Sequence, residues 1–91
     1  MFKFEWDDQK ATSNLKKHGV SFEEAVNVFA DGLALTFADT DHFATEDRSR
    51  TYGISNKGRF LVVVHTERRN NVRIISARKA TRYEKSIYEQ G

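Results

Sequence analysis

The sequence predicts an α+β domain: a small antiparallel sheet with two N-terminal helices and one C-terminal helix, in the order β-α-α-β-β-β-β-α. Three observations predict it. Ser21-Phe-Glu-Glu24 and Thr81-Arg-Tyr-Glu84 each place a hydroxyl at a helix cap and a glutamate three residues later. Phe60-Leu-Val-Val-Val64 is apolar at every position, as a strand covered on both faces requires. Turn residues then cut the second half of the chain into successive short strands, and strands joined by hairpins pair antiparallel.

Taken in order, Phe2-Lys-Phe-Glu-Trp6 alternates and forms a first strand. Asp7 or Asp8 caps the helix that follows, because a carboxylate accepts the free amide hydrogens of a first turn. That helix runs to about His18 and stops at Gly19, which suits the left-handed C-terminal position. Ser21 opens a second helix with Ala25, Val26, Val28 and Phe29 as its apolar stripe, ended by Gly32. Leu33 to Ala38 is a strand, and the polar stretch from Asp39 to Glu46 a loop. Ser49 to Ser55 and Arg59 to Glu67 flank a turn at Asn56-Lys-Gly58, with Gly58 left-handed. Arg68-Arg-Asn-Asn71 is the next turn and Val72 to Ala77 the last strand, which leaves Arg78 and Lys79 in the connection to the final cap. The last helix buries Tyr83, Ile87 and Tyr88. Phe2, Phe4, Phe22, Phe29, Phe37 and Phe60 are assigned to packing.

Ninety-one residues without a linker or repeat make a single domain, 1–91. With no cysteine, neither a disulfide framework nor a thiolate metal site is available. The longest apolar run is too short to span a membrane and the start lacks a signal peptide's apolar segment, so the expected location is the cytoplasm, with no membrane partner. Charge is divided along the chain. Residues 1–46 hold four lysines against nine carboxylates, and residues 47–91 hold eleven cations against four. One acidic and one basic face follow, and a basic face attracts phosphate.

The basic half supplies the first constellation: Arg48, Arg50, Arg73, Arg78, Lys79 and Arg82. Arginine offers a planar fork matched to phosphate oxygens and lysine a movable point charge, and together they can stabilise a charged pentacoordinate phosphorus. Arg48 and Arg78 are the expected clamp. Their alternative is a solvated face paired with Glu46, Glu67 or Glu84. A second set is histidine. His65 lies where the apolar strand gives out, on the side of Leu61 and Val63, and reads either as a general base or as a hydrogen-bonded structural histidine. Lys79 is the other candidate base and His18 a candidate acid. Trp6, Lys10, Asn14 and His18 recur every fourth residue along helix one. Lys10 and Trp6 join Arg50, Arg73 and Arg82 as RNA contacts in this reading, Trp6 being either a core anchor or a base-stacking platform. Asp39, Asp41, His42 and Glu46 imitate a hard-metal site but lack a second anchored cluster, so no metal and no cofactor is expected. Gly-rich phosphate loops and dinucleotide fingerprints do not occur.

Phe4-Glu-Trp-Asp7, Lys17-His-Gly-Val20, Ser21-Phe-Glu-Glu-Ala25, Arg48 with Gly53-Ile-Ser55, Val63-Val-His-Thr66 and Arg73-Ile-Ile-Ser-Ala-Arg-Lys-Ala80 occur in the order seen in the BrnT family, and the whole chain resembles it. It departs at Asp31-Gly32, where the family has Asp-Pro, and in the longer, more basic turn at residues 68–71. The resemblance implies a RelE-like ribonuclease toxin of a type II toxin–antitoxin system. It further implies metal-free cleavage of mRNA, inhibition of translation, and neutralisation by a BrnA-type ribbon-helix-helix antitoxin in a heterotetramer. DNA would be met only through that antitoxin. The alternative is a catalytically silent domain that binds RNA or protein without cutting.

Overall fold

The computed structural model describes residues 3–39 and 48–91. Phe2 and residues 40–47, and with them most of the expected polar loop and of the Asp39-Asp41-His42-Glu46 alternative, lie outside the described residues.

Five strands form one sheet in the spatial order β1-β5-β4-β3-β2, where β1 is Lys3–Glu5, β2 Leu35–Ala38, β3 Ser49–Ile54, β4 Phe60–Arg68 and β5 Asn71–Lys79. β2 to β5 pair antiparallel, as hairpins demand. β1 pairs parallel with β5, so the sheet is mixed where an all-antiparallel one was expected. The reason is the route of the chain. It leaves β1 at one edge, crosses a face as helices, and returns strand by strand, so the last strand runs the same way as the first.

Helices α1 (Asp8–His18) and α2 (Phe22–Asn27), with a 3₁₀ turn at Val28–Ala30, cover one face. Asp7 caps α1 by accepting from the amides of Gln9 and Lys10, and Gly19 closes it at φ 70°. Ser21 caps α2, but Glu24 does not complete the reciprocal box. Its carboxylate turns inward instead to Arg59 and to the Ser55 hydroxyl at 2.7 Å. On this face Val20, Phe22, Ala25 and Val28 meet Leu61, Val63, Val72, Ile74 and Ala77 in the core. Gly53 is required there, because a Cβ would stand 2.8 Å from Val28 Cγ1.

Helix α3 (Arg82–Gln90) lies on the opposite face, behind a complete Thr81–Glu84 capping box. It covers Val62, which is fully buried, and sets Tyr88 edge-on to Phe60 at 5.1 Å. The Tyr88 hydroxyl donates to Asp31, which also accepts from the Ile54 amide, and this latch ties the helix to the sheet. β4 is therefore covered on both sides, as its unbroken apolar run predicts. Two expectations fail here. Tyr83 is 75% exposed, since it faces away from the sheet. Arg78 and Lys79 belong to β5, opposite Val62 and Leu61, because the β4–β5 ladder extends two residues further than the turn signal suggests. The β4–β5 turn is also tight: Arg69 and Asn70 both take positive φ, as a two-residue type I′ hairpin requires. Among the described residues no helix is long and apolar enough to cross a membrane.

Candidate functional site

Cross-strand partners share a face of a sheet and alternate residues return to it. Three rows on the α3 face follow from the register: Leu35-Tyr52-Val62-Arg78, then Phe37-Arg50-Val64-Ser76, then Thr66-Arg73-Glu5. Arg48 continues the alternation of β3, and its carbonyl still accepts from the Asp39 amide at 2.8 Å. Arg48, Arg50, Arg73 and Arg78 thus share one face. A strict period of two along β5 would separate Arg73 from Arg78, which lie five residues apart. A bulge lets Ile75 slip out of pairing between His65↔Ile74 and Val64↔Ser76, and this returns Arg78 to the side of Arg73.

Three of these arginines have carboxylate neighbours. Arg78 meets Glu84 side-on through two hydrogen bonds of 2.7 and 2.8 Å. Arg73 pairs with Glu5 at 3.2 Å. Arg50 has its Nε 3.8 Å from a carboxylate oxygen of Asp39. The Nε of Arg48 is buried without a hydrogen-bond partner. The bond to Arg78 is the main cause holding the Glu84 carboxyl down to about 2, and Glu84 in turn raises the Arg78 guanidinium.

Two grooves flank this strip. One, of about 510 Å³, is lined by Phe37, Arg50, Tyr52, Tyr83, Glu84 and Ile87 among others. Its aromatic walls escaped the sequence reading, which assigned Phe37 and Tyr83 to packing; Phe37 is 42% exposed. The clue available in sequence was the position of Tyr83 directly after a capped helix start, where a side chain can face solvent. The other groove, of about 420 Å³, runs between α1 and the uncovered edge of β5 and gathers Lys10, Lys17, His18 and Ser76. It exists because β1 ends at Glu5 while β5 continues. Asn14 caps the gap like a missing strand, donating to the Ala77 and Val20 carbonyls and accepting from the Ala77 amide. Ser76 joins the two regions, lining the α1 groove and sharing a row with Arg50.

Other expected residues lie apart. His65 is on the α1–α2 face, 5% exposed, with the Phe29 ring edge-on at 4.9 Å and Nε2 bonded to the Thr51 hydroxyl at 2.7 Å. Burial pushes its imidazole down to about 4, so the neutral ring is the resident form. Trp6 is edge-on to Phe22 at 5.9 Å and packs against the core. Lys79 is exposed beside Lys85 and Arg59 in a shallow cleft, and Arg82 is exposed on α3. Imidazole and arginine clamp are therefore not gathered at one spot. Of the two accessible basic regions, the sheet face holds the arginines and the α1 edge holds Lys10 and His18. Among the described residues no group of three His, Asp or Glu side chains is placed to hold a metal ion.

Comparison with known proteins adds to this geometry. The crystal structure of the Brucella abortus ribonuclease toxin BrnT superposes with a TM-score of 0.71 at 24% sequence identity, covering 90% of this chain and 100% of that one, and so supports the fold. No curated protein matches the sequence at a significant level. The family described as "Ribonuclease toxin, BrnT, of type II toxin-antitoxin system" matches residues 6–84. With that match over most of its length, on the sheet and helices described above, the chain belongs to the BrnT family of ribonuclease toxins.

Proposed function

We propose that this protein is a metal-independent endoribonuclease that cuts mRNA, inhibits translation, and is held silent by a BrnA-type ribbon-helix-helix antitoxin in a heterotetramer. The observation that carries the proposal is the common face of Arg48, Arg50, Arg73 and Arg78. Four forked cations on one rigid sheet suit a polyphosphate strand, and a phosphodiester in their midst needs no metal to offset its developing charge.

In the reaction the substrate 2′-oxygen attacks the adjacent phosphorus. The O2′–P bond forms as the P–O5′ bond breaks, leaving a 2′,3′-cyclic phosphate and a 5′-hydroxyl. Arg48, Arg50 and Arg78 hold the phosphorane oxygens. The leaving 5′-oxygen takes its proton from water, and His18, in the α1 groove that reaches Ser76, binds the flanking strand. The 2′-proton passes to solvent, since Lys79 stands in its own cleft beside Lys85 and Arg59, and Lys10, Arg73 and Arg82 track the backbone. His65, facing the core, is given no contact with substrate; it positions β3 through Thr51. The carboxylate-rich N-terminal half is available to basic segments of the antitoxin.

Incubation of the purified protein with single-stranded RNA in excess EDTA tests this reading. Fragments with cyclic-phosphate ends support it. A second reading, a domain that binds without cutting, draws on the carboxylates already facing Arg73 and Arg78; retention of intact RNA under the same conditions would establish it instead.

A further inference from the structure

We infer that the groove between β2 and α3 is a binding pocket for one unpaired nucleobase, with Phe37 and Tyr83 as its stacking walls and Arg50 on the phosphate attached to that nucleotide. The inference rests on the ribonuclease reading for its ligand class and adds to it a determinant of where the strand is gripped.

Three observations combine. The first is exposure. Tyr83 at 75% and Phe37 at 42% are large apolar rings left open on the described surface, and both line this groove of about 510 Å³. Neither ring is loose. Phe37 rests at 5.4 Å and 53° on the buried Tyr52, and Tyr83 stands in the first turn of a helix held by a full capping box. Pre-positioned aromatic faces of this kind bind bases of any identity by stacking. The second is polarity. At the α3 end the Glu84 carboxylate is neutralised by Arg78 and bonded to the Thr81 amide, so a base edge can approach without meeting a bare anion. At the β2 end Arg50 supplies positive charge, with an Asp39 carboxylate oxygen 3.8 Å from its Nε. A neutral polar end beside a cationic end fits a nucleotide better than an apolar peptide side chain. The third is position. Phe37 and Arg50 begin the row that continues through Val64 to Ser76, so a base seated here leaves its strand running across the arginine face. Duplex RNA, whose bases are stacked inside, cannot supply such a ligand.

The test reads binding, not cleavage. A single-stranded oligonucleotide fully 2′-O-methylated has no attacking hydroxyl and stays intact. A series carrying one abasic site moved along its length is titrated against the full protein. One position is expected to weaken binding about tenfold, the others little. Tyr83→Ala and Phe37→Ala should each lose about tenfold on the intact oligonucleotide and no longer respond to that abasic site, whereas Tyr83→Phe retains the affinity. Equal effects at every abasic position, or full affinity in Tyr83→Ala, overturn the pocket. So does a Tyr83→Ala protein that binds RNA normally but loses its antitoxin, which would assign the groove to protein. The abasic series on the unaltered protein needs no variant to fold. A protein that discriminates the abasic site yet leaves unmodified RNA whole in EDTA keeps the pocket and loses the nuclease; cleavage without discrimination does the reverse.

Discussion

Arg78 and Glu84 form a fork-to-fork pair across the seam between the sheet and helix α3, Nη1 donating to Oε1 at 2.7 Å and Nη2 to Oε2 at 2.8 Å. The pair fastens the helix and at the same time fixes the direction of a cation on the arginine face of the sheet. In the proposed nuclease, stability and substrate binding therefore compete for one charge.

Replacing the carboxylate exposes that competition. Glu84→Gln keeps the shape of the side chain but releases the net charge of Arg78. It should lower unfolding stability by about 2 kcal/mol, a figure reduced for the 37% exposure of the Arg78 side chain. RNA should bind more tightly and with a steeper salt dependence. Because the folded carboxyl is held below its usual 4.5, the pair's stabilisation is complete above that pH and fades as pH falls toward 2. Denaturation at pH 5 and pH 3 measures it; equal losses from Glu84→Gln at both pH values would contradict the linkage.

His65 sets a different acid limit. Its buried ring resists protonation down to about 4, whereas an unfolded histidine titrates near 6.5. Folding is unaffected above 6.5 and loses about 3 kcal/mol as pH falls from there to 4. His65→Leu should flatten that slope and leave RNA cleavage in place. A folded His65→Leu protein that no longer cuts would return the imidazole to the chemistry.

Arg48→Ala and Arg50→Ala should each slow cleavage by about two decades, near 3 kcal/mol in the barrier, with little effect on melting temperature. Neither side chain anchors a helix. Single-turnover rates at saturating protein separate this from weakened binding, and rates within threefold of the parent for both would dismiss the clamp.

Asn14 is the structural counterpart of these residues. Its amide satisfies both polar groups of Ala77 and the Val20 carbonyl, all inside the protein. Asn14→Leu leaves them unpaired and should cost about 2–4 kcal/mol. The α1 groove should open with it, so RNA affinity and stability are expected to fall together in denaturant and binding titrations.

Much of the fold was legible because its signals are local. Asp7, Gly19, Ser21, Gly58 and Thr81 act on backbone within a few residues, and each is found at the cap or turn its chemistry specifies. The double-sided burial of β4 was legible for the same reason, being a property of one uninterrupted run. The capping box at Ser21 shows the limit. Its hydroxyl performs as expected, yet Glu24 leaves for Arg59, thirty-five residues away, since a buried ion pair with a second acceptor bond to Ser55 outweighs a surface cap.

The sequence by itself determined which segments are helix and strand, where the capped helices begin, and that cations crowd the second half. It could not determine which face those cations occupy, because side-chain direction in a strand depends on counting residues in pairs and a single bulge at Ile75 changes the count. Only the folded sheet put Arg73 and Arg78 together, turned His65 inward under Phe29, and left Phe37 and Tyr83 standing over an open groove. Local chemistry writes itself residue by residue, whereas facing is decided by register, and register is settled only when the strands pair.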